Sequence, residues 1–270
     1  MSENIAENIW RGEIMKISLN SETLYHFAKD AWARALARAY ETIAVSSKDT
    51  PFPFAPPPFA LPAGISPDDA WPLIRAVRGA LNTPEARGIC RDMARDLHLH
   101  PDASNLLVGV PSFRLALPRP LQDMPAQIPA LSLHRDTWYG LPTRSINVWV
   151  PLGDADCDNG VEFFPEFFQT HVSNTSDLFS YDAWKSGDKD TIFPSADHGV
   201  VRDLHPTRFL VKRGEALLFS SQHLHRTAQR PKSMRASIDF RVLLPDNFEP
   251  DCWPKNIDSA APKRLDDFFD

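Results

Sequence analysis

The chain has 270 residues, 43% hydrophobic and 24% charged, with a formal net charge of −6 at pH 7. This is a globular composition, long enough to bury a core without disulfides, and an acidic balance with no basic run speaks against a nucleic-acid surface. No apolar stretch reaches the length of a membrane-spanning helix, the polar start MSENIAENIWRGEI lacks the plan of a secretion signal, and Cys90, Cys157 and Cys252 form no CxxC pair, so the expectation is a cytoplasmic protein away from membranes.

Residues 21–46, SETLYHFAKDAWARALARAYETIAVS, read as a helix. Ser21 offers an N-cap, and Leu24, Phe27, Ala31, Ala35, Ala39 and Ile43 form an apolar stripe. PFPFAPPPFALPAG, residues 51–64, reads as an ordered coil packed on the fold, because apolar side chains alternate with its prolines. Two more helices are expected, one starting at Ser66 with an acidic first turn and one at Thr83 with Pro84 behind it.

The pattern then changes. Short apolar or alternating runs follow at 105–118, 128–134, 144–152, 160–164, 208–214, 215–220 and 234–245, separated by turn residues such as DADCDNG at 154–160. That spacing predicts an antiparallel β-sandwich or barrel. A polar insertion at 165–207 carries short helices around PEFFQTH and SDLFSYDAW. We expect one domain over 1–270: a mostly helical layer to residue 100, a β core over 105–245, and the insertion as a lid.

The stretch LSLHRDTWYG, residues 131–140, ends an apolar run in His134 and Asp136. Side chains two apart on a strand share a face, so an imidazole and a carboxylate point together, with Arg135 on the other face. These are two of the three ligands of a 2-His-1-carboxylate metal site. The third would be a histidine from GEALLFSSQHLHRT at 214–227, where alternation alone leaves His223 and His225 equal. Further on, MRASIDFRVLLP places Arg235, Ser237, Asp239 and Arg241 on one face of a strand. That stripe reads either as solvated or as a grip on an anion.

Taken together, HRD at 134–136, LHRT at 224–227, RAS at 235–237 and INVWVPLGDADCDNG at 146–160 resemble the iron(II)- and 2-oxoglutarate-dependent dioxygenases, in their phytanoyl-CoA dioxygenase-like branch. His225 follows His134 by 91 positions and Arg235 follows His225 by 10, as in that branch. The resemblance spans about residues 105–243. It implies a double-stranded β-helix, that is a jelly-roll or cupin-like barrel, flanked by the N-terminal helices. It assigns His134, Asp136 and His225 to Fe(II). It assigns Arg235, with Arg241 as fallback, to the far carboxylate of 2-oxoglutarate, with Ser237, Trp149 and Asn147 around the cofactor. Arg114, Trp138, Tyr139 and His223 are then substrate candidates. Asp136 keeps the carboxylate that related halogenases lack, so halogenation is not expected.

The implied reaction uses O2 and 2-oxoglutarate to oxidise a C–H bond of a small molecule, with hydroxylation as the default and desaturation or ring closure open to the same residues. Arginines 114, 135, 144, 226 and 230 near the expected mouth suggest an anionic or zwitterionic substrate such as an amino acid. Two rival readings stand beside this one: a cupin-type metalloenzyme that does not use 2-oxoglutarate, and a non-catalytic jelly-roll binding module. His98 and His100 read as surface histidines, and His171, His198 and His205 carry no motif. The sequence sets no oligomeric state.

Overall fold

A computed structural model of the chain describes residues 5–46, 59, 67–100, 105–116, 132–186, 188, 190–228, 234–248, 256–265 and 268. The N-terminal part is helical, as its periodicity demands. Helix α1 (Ile5–Trp10) and strand β1 (Met15–Ser18) precede the long α2 (Glu22–Ser46), then α3 (Pro67–Leu81) and α4 (Pro84–Asp96). α4 begins where its sequence says: the Ala86 N–H donates to Thr83 Oγ1 at 3.2 Å, and Pro84 occupies the first turn, where no N–H is needed. Ser66 and most of the 51–64 coil lie outside the described residues. Phe59 of that coil is buried against Tyr25, Trp32 and Phe113.

Among the described residues six strands make an antiparallel sheet: β1, β2 (Leu107–Val108), β3 (Ser112–Ala116), β4 (Ile146–Pro151), β6 (Glu215–Ser220) and β8 (Arg235–Leu243). Its path is β1-β6-β4-β8-β2, with β3 also on β8. β5 (Val161–Phe163) and β7 (His225–Thr227) form a separate pair, and the short helix α5 (Tyr181–Lys185) lies between β5 and β6 in the chain.

Register decides what each face of the large sheet does. Val148 pairs with Leu218 and Phe240, and Val150 with Ile238. This face packs on α2, α3 and α4 in the main core. Each such fully buried Val, Ile or Phe contributes roughly 1.5–3 kcal/mol. The opposite face carries Asn147, Trp149, Phe219, Arg235, Ser237, Asp239, Arg241 and Arg114, because Asn147 opposes Arg241 and Phe219, Trp149 opposes Asp239, and Arg114 opposes Ser237. The β5–β7 pair covers part of it through Phe163 and Val161 against Trp149, Leu217 and Phe219. The polar stripe of β8 is thus not a solvated face; Arg235, Ser237 and Asp239 are buried between the layers.

Three sequence expectations change. The run 208–214 forms no strand: Thr207 and Val211 make single bridges to Phe163 and Ala155. The HxD stretch is not a strand through Asp136. It pairs only at Leu133 and His134, then turns into a 3-10 helix over Asp136–Tyr139. Residues 128–131 lie outside the described set. Among the described residues the two sheets do not close into a barrel. The insertion holds 3-10 turns at Pro165–Phe167 and Ser176–Leu178, and α5.

Candidate metal centre

His134 and His225 face each other across a one-residue antiparallel bridge, each N–H donating to the other's carbonyl at 3.0 and 2.9 Å. This pairing brings the two rings to a centroid separation of 4.4 Å. Each ring is fixed by a backbone carbonyl. His134 Nδ1–H donates to Ser132 O at 2.8 Å, and His225 Nδ1–H to His223 O at 2.9 Å. A carbonyl can only accept, so Nδ1 carries the proton and Nε2 keeps its lone pair in the neutral ring. Burial, and then the adjacent His134 imidazole, push the His225 pKa down to about 3, so this ring is neutral near pH 7.

The 3-10 turn after Arg135 swings Asp136 to the same point. Its Oδ1 lies 3.6 Å from His134 Nε2, and ligand atoms of His134, Asp136 and His225 all fall within 4.8 Å of one another. Burial works against ionising this carboxyl. The Arg241 guanidinium, 3.1 Å from Oδ1, and after it the neighbouring His134 and His225, together outweigh that cost and hold the group well below the usual carboxylate range. Two imidazole lone pairs and a carboxylate, buried and aimed together, repel one another unless a cation lies between them. The donor set is that of a 2-His-1-carboxylate centre for a divalent metal.

Asn147 fixes the carboxylate, donating from Nδ2 to Asp136 Oδ2 at 2.7 Å. Asn147→Leu removes that donor while keeping the side chain's size. Metal affinity is expected to fall about 10–100-fold, with folding retained, as read by metal titration and circular dichroism.

Two cavities meet at the centre. The inner one, about 50 Å³, is lined by Asn147, Trp149, Phe219, His225, Thr227, Arg235 and Asp239. The outer one, about 450 Å³, opens past Tyr139, Leu141, Arg75 and Arg78. Both reach Arg114, His134, Asp136 and Arg241. In the inner cavity Arg235 Nη1 donates to Ser237 Oγ at 2.5 Å, and its guanidinium carbon sits 4.9 Å from the Trp149 ring centroid. Its Nε is buried without a hydrogen-bond partner among the described residues. Burial lowers the Arg235 pKa to about 10, which leaves it a cation at neutral pH. This is a preformed cationic grip with an unsatisfied donor, as an anionic cofactor requires. Arg241, by contrast, is committed to Asp136.

Other candidates fall elsewhere. Tyr139 lines the outer cavity, and Arg114 lines both while pairing with Asp239 at 2.8 Å. Trp138 does not contact substrate space: it is fully buried with Leu133, Phe164 and Leu224, and its Nε1–H donates to Asp258. The 3-10 turn, absent from a strand reading, sends it inward. His223 lines neither cavity; its ring lies between Ser220 O and Gly12 O and packs on Phe168. Of the arginines expected at the mouth, only Arg114 lines the cavity. Arg135 is buried beneath the motif, Arg144 stacks over Trp10, Arg226 pairs with Glu162, and Arg230 lies outside the described residues. The mouth arginines are instead Arg75 and Arg78 of α3 and Arg264 of the C-terminal segment, which no local motif marks.

The C-terminal segment also ties down the metal-binding turn. The Arg264 N–H donates to Gly140 O, and the Asn256 side chain to Thr137 O. Gly140, at φ 80°, ends the 3-10 turn; a Cβ there would lie 2.1 Å from the Pro262 carbonyl oxygen. No other residue fits that approach.

No family model matches this chain, and no curated protein matches it. Among solved structures, EvdO2 from Micromonospora carbonacea var. aurantiaca, complexed with 2-oxoglutarate, is 16% identical at a TM-score of 0.44, covering 94% of this chain and 98% of that one. AviO1 from Streptomyces viridochromogenes Tue57 is 15% identical at a TM-score of 0.42, covering 94% and 99%. The epimerase SnoN, in complex with Fe3+, alpha-ketoglutarate and nogalamycin RO, is 15% identical at a TM-score of 0.40, covering 98% and 96%. At these scores the likeness assigns neither fold nor chemistry to this chain.

Proposed function

We propose that this protein is an iron(II)- and 2-oxoglutarate-dependent oxygenase of the phytanoyl-CoA dioxygenase-like branch. Its two facing sheets would be the layers of a jelly roll. It would act in the cytoplasm on a small molecule, with O2 as co-substrate. The observation that carries the reading is the buried convergence of His134 Nε2, the Asp136 carboxylate and His225 at the junction of two cavities, with both Nδ1 atoms already committed. His134, Asp136 and His225 would hold the iron, and Arg235 with Ser237 would hold the far carboxylate of 2-oxoglutarate. When bound, the pair supplies O2 activation with conversion of 2-oxoglutarate to succinate and CO2. The chain's own residues do the rest. Arg241 keeps Asp136 ionised and Asn147 orients it, and the carbonyls of Ser132 and His223 fix the tautomer that leaves each Nε2 as the ligand atom. Phe163, Phe219 and Trp149 keep bulk water from the inner side. Hydroxylation of a small polar, amino-acid-like molecule is the simplest outcome at such a centre; desaturation or cyclisation would use the same residues.

The test is the dependence of 2-oxoglutarate use on Arg235. Arg235→Ala removes one or two charge-assisted bonds, so the KM for 2-oxoglutarate should rise about 10–100-fold, with metal affinity within threefold of the parent. A rise in Arg241→Ala but not in Arg235→Ala would move the grip to Arg241. Metal-dependent turnover without 2-oxoglutarate would replace the reading with a cupin-type metalloenzyme.

A further inference from the structure

Behind the metal-site carboxylate runs a buried chain of hydrogen bonds whose protons can be counted. Asn147 Nδ2 carries two hydrogens. One goes to Asp136 Oδ2 at 2.7 Å and the other to Ser221 Oγ at 3.4 Å, the longest link of the chain. Ser221 Oγ lies 2.5 Å from Ser145 Oγ, and Ser145 Oγ–H donates to Pro142 O at 2.9 Å. A carbonyl only accepts, and a hydroxyl has one proton to donate. Ser145 has committed its proton to Pro142, so it accepts from Ser221. Ser221 has then committed its own, so it accepts from Asn147. The donors all run one way, from the amide through two hydroxyls to a backbone carbonyl. Asn147, Ser145 and Ser221 are at most 1% exposed, which keeps bulk water from replacing a link.

The direction of the chain matters at the carboxylate. A flipped Asn147 amide would turn its oxygen toward two acceptors, Asp136 Oδ2 and a Ser221 Oγ whose proton is already committed. With Nδ2 held on Oδ2, Oδ1 is the oxygen that stands 3.6 Å from His134 Nε2, on the ligand side. The sheet register puts Ser221 at this point. Ile146 pairs with Ser220, and one step further Ser145 stands opposite Ser221, whose N–H donates to Ser145 O at 3.2 Å. Ser221 O also accepts the Thr137 N–H at 3.2 Å, from the turn that carries Asp136. Ser221 thus joins the start of β4, the end of β6 and the metal-binding turn.

We infer that Ser221, backed by Ser145, is a positioning residue of the metal centre: its hydroxyl fixes the Asn147 amide and through it presents Asp136 Oδ1, not Oδ2, to the metal. The inference rests on the metal centre proposed above. Metal-free protein, passed over a chelating resin, is titrated calorimetrically with Co(II). Ser221→Ala should weaken Co(II) about tenfold, and Ser145→Ala, one link further out, by less. In the Asn147→Leu background Ser221→Ala should cost no further Co(II) affinity, because the link it acts through is already gone. A merely structural loss would lower affinity equally in both backgrounds. Ser220→Ala deletes an equally buried hydroxyl one residue away, bonded to the Gln222 N–H, and should leave Co(II) affinity unchanged. If Ser221→Ala does not fold, Ser145→Ala carries the same comparison. Unchanged Co(II) affinity in folded Ser221→Ala, or an equal loss with and without Asn147, would overturn the inference. Parent protein that binds no Co(II) would sink the metal-centre reading instead. The chain is then read in denaturant unfolding of the metal-free protein, where Ser221→Ala should shift the midpoint less in Asn147→Leu than in the parent; an equal shift would overturn it.

Discussion

Asp258→Ala should lower the stability of the protein by about 3–5 kcal/mol in denaturant unfolding, one of the largest effects of any single change. The cause lies directly beneath the metal-binding turn. The Arg135 guanidinium is 1% exposed and is surrounded by the carbonyls of Phe167, Phe168, Thr170 and Gln222. Among the described residues its one carboxylate contact is Asp258, with Oδ2 at 3.1 Å from Nε. The same Asp258 accepts Trp138 Nε1–H at 2.6 Å and the Val172 N–H at 3.0 Å. Removing it leaves a buried cation facing carbonyls alone, the costly half of a broken ion pair. A double variant, Arg135→Met with Asp258→Leu, should unfold closer to the parent than either Asp258→Ala or Arg135→Met, because no unpaired charge remains. A loss under 1 kcal/mol in Asp258→Ala would show that the turn does not depend on this clasp.

His225→Ala should abolish high-affinity metal binding and lower turnover by about a thousandfold or more, since several kcal/mol of metal-centred stabilisation are lost at about 1.4 kcal/mol per decade. His223→Gln provides the contrast. His223 is as deeply buried and stands two residues away, but its ring contacts carbonyls and not the ligand set. Metal stoichiometry by inductively coupled plasma analysis should fall toward zero in His225→Ala and stay near one in His223→Gln. A full metal complement in His225→Ala would remove this residue from the centre.

The ligand set was legible in the sequence because its spacing belongs to a resemblance, and the helical layer because its periodicity is local. What surrounds the ligands was less legible. Alternation put Arg135 on the face opposite His134, which is correct, but that face meets the insertion and the C-terminal segment and not water. Nothing near residue 135 announces Asp258, 123 positions later. The 3-10 turn at Asp136–Tyr139 breaks the strand period, so Trp138 was placed with the substrate although it belongs to the core. On β8 the order R-S-D-R matches both a solvated edge and a cavity wall; only the register with β3 and β4 separates them. The mouth arginines come from α3 and the C-terminal segment, outside the stretch that carried the resemblance.

The central claim is that His134, Asp136 and His225 hold an iron that works with 2-oxoglutarate. Anaerobic addition of Fe(II) and then 2-oxoglutarate to the metal-free protein, followed by a pulse of O2, tests it with succinate as the readout. The account predicts that the parent forms succinate at close to one equivalent per iron, that Arg235→Ala does so only at raised 2-oxoglutarate, and that His225→Ala does not. Well-folded parent protein that binds iron yet forms no succinate at any 2-oxoglutarate concentration would contradict it.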